Sequence, residues 1–437
     1  MGSFFPVSGH STGLKKMSGN GIKTINTDVL VVGGGTAGVI AAIQAARAGC
    51  STTLVENGSQ PGGTITTGGV GFPGLFHAWG KQIIAGIGWE LVTETVKLND
   101  DILPDFSIPF GNDHPKHQVR INGNLYALLA EEKCLESGVQ LRYYETPVDV
   151  QSKDNKWIVH TIGKGTQTRI ISDQLVDCTG NASLTSLAGF NVLREKESQP
   201  GSLMFRIGGY DLKSLDMEMI RKRYDEEVKK GTLVKEDFRN NIEGLLTSAG
   251  DNIQHVIDAD STTSESNTIT NIKGRSSLLK TLRFLRELPG CEKTKLLSMQ
   301  PETGVRETYR IDGTYKITRE DYISGRIFDD SVCYSFYPID LHDKNGVVPD
   351  HLNDGIVPTI PLRALIPKNS RNFIVAGRCV SSDRMANSAL RVQASCMAMG
   401  QVAGATAALA NKLNKTPLDI PIDTIKSLLS DHKAIVP

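Results

Sequence analysis

The chain has 437 residues, too many for one ordinary core, so two domains are expected. Its 39% hydrophobic and 22% charged content describes a soluble globular protein. With 48 basic against 48 acidic residues the net charge is zero, which excludes a general attraction to nucleic acid or to an anionic membrane.

Residues 1–26 are rich in Gly, Ser and Lys and lack the roughly 7–15-residue apolar core of a secretory signal. They are expected to form a disordered N-terminal extension. No run approaches the ~20 apolar residues that would span a bilayer. The seven cysteines, at 50, 134, 178, 291, 333, 379 and 396, include no C-x-x-C pair. That argues against a dithiol centre, an iron–sulfur cluster or a structural zinc, so no metal is expected. An odd, unpaired set suits a reducing compartment, and a cytoplasmic location follows as the expectation.

The first strong signal is "DVLVVGGGTAGVIAAIQAARAG", residues 28–49. A short β-branched run ending at Val32 reads as a strand buried on both faces. Gly33, Gly35 and Gly38 follow, and then an Ala-rich helix that Gly49 stops. Gly33 permits the tight turn, Gly35 lets a pyrophosphate approach the backbone, and Gly38 lets helix and strand pack closely. The helix N-terminus offers free N–H groups to the phosphates. The next strand ends in Glu56, eighteen residues beyond Gly38, where a carboxylate can accept from both hydroxyls of a ribose. The pattern alone allows either a dinucleotide substrate or a resident one.

After Glu56, "NGSQPGGTITTGGVGFPGLF" places seven glycines in twenty residues, a loop whose bare backbone can lie flat against a planar ligand. Residues 118–137 are predicted to be a helix, with Leu125, Leu128, Leu129 and Leu135 near 3.6 spacing. "VQLRYYETPVDV", "KWIVHTI" and "TQTRIISDQLVDCTG" read as an antiparallel insertion that returns to the strand end Val176–Gly180.

Composition changes near residue 196, and residues 211–300 are strongly charged. "DMEMIRKRYDEEVKKG" and residues 275–288 are helix-like, whereas "DADSTTSESNT" is a polar stretch. The apolar pattern resumes with "NFIVAGRC" at 372 and a small-residue run, 394–410. The expected organisation is a discontinuous nucleotide-binding domain, 27–195 and 366–437, interrupted by a substrate or cap domain, 196–365. No second Gly-x-Gly-x-x-Gly turn opens a separate nicotinamide domain.

These landmarks resemble the FAD-dependent oxidoreductases of the glutathione-reductase-like superfamily. More closely they are similar to the FAD-dependent oxidoreductase family of bacterial flavoproteins, distantly related to succinate dehydrogenase and fumarate reductase flavoprotein subunits. The likeness covers most of residues 27–411. It is carried by the glycine turn with "TLVE", by "PGGTITTGG", "LVDCTGNASL", "TGVRETYRIDGTYKITREDYISGRIFDD" and "YPIDLHD", and by the segment from "FIVAGRC" to "MGQVAGATAALA".

The resemblance implies an α/β fold: a Rossmann-like FAD-binding domain with a parallel sheet and an antiparallel β insertion, plus an inserted α+β substrate or cap domain. It implies that Gly33, Gly35 and Gly38, with Thr36 and Ala37 of the same turn, hold the FAD pyrophosphate. Glu56, with Asn57 beside it, would take the adenosine ribose. Gly62, Gly63 and Thr64 would lie along the flavin side, and Thr179 and Gly180 match a strand-end motif that passes near FAD. Gly377 and Arg378 stand where relatives carry Gly-Asp. Gly400 and Gln401 would begin or enter the terminal helix, whose N-terminus would face the flavin pyrimidine. Succinate dehydrogenase-type proteins carry a histidine before their Gly-Gly that bonds FAD covalently; here Ser59 and Gln60 stand there, so non-covalent FAD is expected, with His77 a lesser candidate.

Flavin chemistry on a C–H bond calls for a general base and for donors to a developing oxyanion. "GVRETYR" offers Arg306, Glu307 and Arg310, and "SFYPIDLHD" offers Tyr337, Asp340 and His342, the last two of which are two apart and so share one side of an extended chain. A carboxylate there can orient the imidazole and raise its basicity. Arg391 is a third anion-binding candidate. The expected reaction is hydride transfer between a small organic substrate and FAD. NAD(P)H, a quinone or another protein would be the electron partner. A fumarate-reductase-like C=C reductase is one alternative. A non-catalytic binding protein on the same fold, like the Rab GDP-dissociation inhibitors, is the other.

Overall fold

The computed structural model describes residues 21–108, 113–239, 241–344 and 346–437. Strand β1 (Lys23–Val32) leads through the glycine turn into α1 (Thr36–Arg47) and then β2 (Thr52–Glu56). β1 starts earlier than the sequence suggested. Lys23–Asn26 were expected in a disordered extension, but they pair with Thr168–Ile171 of a neighbouring strand long enough to reach them. Residues 1–20 of that expected extension lie outside the described residues.

Helix α2 (Gly123–Glu136) occupies the predicted helical stretch, capped by Asn122, whose side chain accepts from the amides of Asn124 and Leu125. Its buried face is not the predicted leucine stripe. Tyr126, Leu129, Ala130 and Cys134 point inward, while Leu128 and Leu135 are exposed.

Strands β3 (Gln140–Tyr143), β4 (Glu145–Lys153), β5 (Lys156–Gly163) and β6 (Thr166–Asp177) complete the central sheet with the segment Phe373–Val375. Among the described residues the order is β3-β2-β1-β6-β5-β4, with Phe373–Val375 also on β6. β1, β2, β3, β6 and Phe373–Val375 run parallel, whereas β4, β5 and the first half of β6 form the antiparallel insertion. The two halves of β6 therefore have different neighbours. Its first half holds β5, and its last three residues hold the late strand that delivers Gly377 and Arg378.

A second, separate core runs from Leu203 to Cys291. It packs the helices Met217–Lys229 and Ile242–Ser248 and the long α3 (Ser264–Arg286) against a small antiparallel sheet. That sheet consists of β7 (Phe205–Gly208), β8 (Gly250–Asp251) and β9 (Lys295–Met299), with β7 in the centre. The start of α3 departs from expectation. Thr263 and Ser266 form a reciprocal capping box, so the polar "SESNT" is the first turn of a helix that starts well before the predicted 275–288. Residues Ile317, Val332, Phe336, Ile360 and Ile366 pack with β1 and α1 into the first core. Composition had grouped most of that stretch with the inserted unit because a clear apolar run resumes only at residue 372. Its charges are paired at its edge, as in Arg326–Asp321 and Arg363–Asp330.

The small-residue run becomes α4 (Gln393–Leu413), one of the most deeply buried elements. It begins at Gln393, so Gly400 and Gln401 lie two turns inside it and not at its N-terminus. Gly400 faces the backbone of α1. Gln401 is buried, accepts from the Ile87 amide, and donates to Gln44 and to the His432 carbonyl. Both residues brace α1 from behind.

Candidate active site

A cavity of about 590 Å³ opens at the C-terminal ends of the parallel strands, within the range of cofactor and ligand sites. Its first wall is the glycine turn: Gly33, Gly35, Thr36 and Ala37 line it. Gly33 has φ +97, and a Cβ there would lie 2.4 Å from the Cys178 carbonyl oxygen, so no other residue fits. Gly35 is the opposite case: nothing lies within 4 Å of its would-be Cβ, which leaves bare backbone facing the cavity. Gly38 does not reach the cavity; its own Cβ would lie 1.8 Å from the Gly33 carbonyl oxygen, so it serves packing. Gly35 is also the N-cap of α1 and supplies no side-chain cap, which leaves the helix N–H groups free for an anion.

Glu56 and Asn57 line the same end. The Glu56 carboxylate accepts from the Gly34 amide at 2.6 Å and the Gly58 amide at 2.6 Å. Burial pushes its carboxyl above the ordinary value, against the opposing pull of those two amides. Gly63 and Thr64 line the cavity, whereas Gly62 lies behind them, tied to the turn by the hydrogen bond its N–H donates to the Gly34 carbonyl.

Thr179, Gly180, Gly377 and Arg378 form the next wall. The Arg378 guanidinium donates to the Gly180 carbonyl at 2.9 Å, to Asn181 Oδ1 at 2.6 Å and to the Val305 carbonyl. Among the described residues it makes no ion pair, and burial lowers its pKa.

The remaining wall carries the predicted catalytic candidates, and the structure brings four of the five together. Arg306, Asp340, His342 and Arg391 all line the cavity. His342 Nε2 is 3.1 Å from Asp340 Oδ2, which confirms their placement on one side of the chain. Arg391 Nη2 donates to the Asp340 carbonyl at 3.1 Å and lies 3.7 Å from its carboxylate. Among the described residues Arg306 donates to neutral acceptors, the Pro200 carbonyl and Ser202 Oγ. Burial, with Arg391 beside it, lowers its pKa to about 9. Arg310 is the exception. It sits in a short strand, buried and away from the cavity, with its guanidinium on Glu195 at 2.5 Å.

Burial alone would raise the Asp340 carboxyl, but His342, Arg391 and Arg306 together hold it at about 2. Burial lowers His342 to about 4, with Asp340 opposing and the two arginines assisting. At neutral pH the pair is therefore a carboxylate beside a neutral imidazole, with the Arg391 and Arg306 guanidinium groups close by.

Of the residues behind this pair, Glu307 stood in the predicted "GVRETYR" stretch, but Gln199, His255 and Arg239 were missed. Gln199 accepts from the His342 amide, and Glu307 holds Gln199 in place by accepting from its amide and side chain. His255 contacts His342 and Arg239 contacts His255. The contacts to His342 join residues 87 or more positions apart, and no local spacing signals them. His77 lies outside the cavity lining, stacked on Phe106 with 3.7 Å between ring centroids. The seven cysteines are all free and buried. Among the described residues no group of His, Cys, Asp and Glu could hold a metal, and no helix is long and apolar enough to cross a membrane.

The residues present fit a dinucleotide. Bare backbone at Gly35 and an uncapped helix N-terminus suit a pyrophosphate, and buried Arg378 and Arg306, which make no ion pair among the described residues, suit anionic ligand groups.

The sequence matches the family model described as FAD dependent oxidoreductase over residues 28–429. No curated protein matches it. Among solved structures it is similar to a geranylgeranyl bacteriochlorophyll reductase-like protein from Thermoplasma acidophilum. That likeness has 14% identity, covers 94% of this chain and 83% of that one, and has a TM-score of 0.42. OxyS anhydrotetracycline hydroxylase from Streptomyces rimosus is similar at 17% identity over 42% of this chain, with a TM-score of 0.31. The chain spans only 38% of the length of OxyS. THI4 of Thermovibrio ammonificans is similar at 18% identity over 38% of this chain and 64% of its own, with a TM-score of 0.27. The family match runs from β1 to the last helix and so takes in every wall of the cavity; the chain belongs to the FAD-dependent oxidoreductase family, with FAD as its cofactor.

Proposed function

We propose that the protein oxidises or reduces a small anionic organic substrate by hydride transfer to or from non-covalently bound FAD. When bound, FAD supplies the two-electron hydride chemistry that no side chain here can perform. The chain's own contribution is binding, orientation and proton movement. The turn at Gly33–Ala37 and Glu56 hold the dinucleotide at one end of the cavity. Arg306 and Arg391 bind the substrate's carboxylate or developing oxyanion at the other end, where a fixed cation in a dry site is worth far more than in water. The His342–Asp340 pair exchanges the substrate proton, with Gln199 anchoring His342 through its backbone amide. The unit built on Leu203–Cys291 serves as the substrate-side cap.

The observation that carries this reading is the His342–Asp340 contact at 3.1 Å inside the cavity that the glycine turn also lines. The test is an anaerobic screen of the oxidised holoenzyme for flavin bleaching by hydroxy acids and other small carboxylates. With a substrate found, His342→Ala should retain FAD while its flavin reduction slows roughly 10²–10⁴-fold, the usual span of general acid–base catalysis. Unchanged flavin reduction would remove His342 from the chemistry.

A further inference from the structure

The chain enters the second core through Gln199-Pro200-Gly201-Ser202, four buried residues just ahead of Leu203. This short segment holds both arginines that stand near the proton-exchanging pair. Gln199 Oε1 accepts from Arg391 Nη2 at 3.3 Å as well as from the His342 amide at 3.0 Å. The Pro200 carbonyl accepts from Arg306 Nη1 at 2.5 Å, and Ser202 Oγ accepts from Arg306 Nη2 at 3.1 Å. The segment is itself fixed on both sides. Gly201 exchanges backbone hydrogen bonds with Val256 at 2.9 and 2.8 Å, and Ser202 does so with Gly304 at 2.9 and 2.8 Å. A Cβ on Gly201 would lie 2.8 Å from the Ala259 Cβ, so the strand passes where a side chain could not.

The side-chain amide of Gln199 can stand only one way round. Glu307 accepts from the Gln199 backbone amide at 2.6 Å and from its Nε2 at 3.0 Å, and Arg384 donates to the same carboxylate. Burial works against ionisation of Glu307, but Arg384 and Gln199 hold its carboxyl below the ordinary value, so it accepts and does not donate. The His342 amide and the Arg391 guanidinium can only donate. Turning the Gln199 amide over would set its NH₂ against two donors and its carbonyl against a carboxylate. All three neighbours agree on where Oε1 stands.

Every acceptor that this segment offers is neutral. A carboxylate in the same places would seat the arginines but cancel their charge. The one ion pair that the two guanidinium groups make among the described residues is Arg391 with Asp340, at 3.7 Å. A long arginine stem has much rotamer freedom to lose on gripping an anion, and seating it beforehand removes that cost from binding.

We propose that Gln199 and Ser202, with the Pro200 carbonyl between them, are positioning groups that set the spacing of Arg391 and Arg306 and make of them one preorganised seat for a substrate carboxylate. The inference rests on the reading of the cavity as the site of a small anionic substrate. Gln199 also ties the seat to the chemistry, because one oxygen holds both the Arg391 guanidinium and the His342 backbone. A carboxylate gripped by Arg391 is thereby held at a fixed distance from the His342–Asp340 pair.

The experiment is a pair of double-mutant cycles on the FAD-loaded protein near neutral pH, with oxalate as the probe and its dissociation constant read by titration calorimetry. Gln199→Met keeps the side-chain length and removes the acceptor; it should weaken oxalate about tenfold with FAD content unchanged. In an Arg391→Gln background the same change should cost nothing further, because the group it acts through has gone. Ser202→Ala should weaken oxalate about threefold, since the Pro200 carbonyl still holds Arg306, and should cost nothing further in Arg306→Gln. Crossed combinations, such as Gln199→Met with Arg306→Gln, should show both losses. Should Gln199→Met fail to fold, the Ser202 cycle carries the test alone, because losing one hydroxyl leaves the backbone bonds of Ser202 intact. Losses that simply add within each cycle are the behaviour of packing residues and overturn the proposal. A wild type that binds neither oxalate nor acetate, or arginine variants that bind oxalate as well as the wild type, would instead overturn the anionic-substrate reading itself. Additive losses with both arginine variants weakened overturn the seat and leave that reading standing.

Discussion

The carbonyl oxygen of Ala37 occupies the place that a side chain on Gly400 would need: a Cβ built there lies 2.3 Å from it. One turn later the same relation holds between Gly404 and the Ala41 carbonyl, at 2.2 Å. Residues four apart share one helix face, so this pair of glycines is a groove into which α1 sits, backbone against backbone. The turn that lines the cavity is rigid because the helix behind it cannot retreat.

Gly400→Ala should therefore lower the melting temperature and also the flavin content. Forcing one methyl into a packed contact costs about 1–3 kcal/mol, and here the contact is with backbone, which cannot rotate away. Because α1 carries Thr36 and Ala37 at the cavity wall, its displacement should appear as a reduced flavin-to-protein absorbance ratio. A variant that melts and loads like the wild type would show that the two helices separate at no cost.

Glu56 holds the turn from the other side. Removing its carboxylate leaves the amides of Gly34 and Gly58 without their acceptor, before any ribose contact is considered. Glu56→Ala should weaken FAD retention on dilution or gel filtration. Glu56→Gln should not rescue it, because one amide would then face an NH₂ group, donor against donor. Full FAD occupancy in both variants would contradict the ribose-end assignment.

Arg306 and Arg310 stand four residues apart in one motif and are expected to respond oppositely. Arg306→Gln removes a cavity cation that has no carboxylate partner among the described residues, and should weaken binding of a carboxylate substrate by about tenfold to a hundredfold. Its effect belongs in KM more than in thermal stability. Arg310→Met breaks the ion pair with Glu195, whose side chain is 44% exposed and can rehydrate. That variant should lose roughly 1–3 kcal/mol of stability with substrate affinity unchanged. The matched pair is read by steady-state kinetics and thermal melts on the same preparations.

These contrasts mark where sequence reading stops. The glycine turn, α1 and Glu56 were legible because their chemistry is local: a strand, three glycines, a helix and an acid in fixed order. Asp340 and His342 were legible for the same reason, two residues apart on an extended chain. Arg310 was misjudged because nothing in "GVRETYR" says which arginine a distant Glu195 will claim. Gly400 was misplaced by reading a helix start into a small-residue run. The four-residue spacing of Gly400 and Gly404 was the available signal, and it pointed to close helix packing. His255, Arg239 and Gln199 had no signal, since folding alone brings them to His342.

The buried histidines give the protein a stability that should fall on the acid side of neutrality. Burial lowers His342 from 6.5 to about 4, His77 to about 4 with His117 assisting, and His255 to about 2. For a base with a depressed folded pKa, the unfolded chain binds a proton that the folded chain refuses. The contribution is therefore complete above about 6.5 and is lost as pH falls toward the folded values. The melting temperature of the holoenzyme should fall steadily between pH 6.5 and about 4, and the His255 share should continue to about 2. His77→Phe isolates one of these groups. The phenyl ring can keep the stack on Phe106, and Nδ1 of His77 has no hydrogen-bond partner to lose. That variant should match the wild type near neutral pH and show a shallower decline below it, by one proton's worth of slope. Parallel curves for the two proteins would mean that His77 titrates alike in the folded and unfolded chains and contributes nothing to the acid sensitivity.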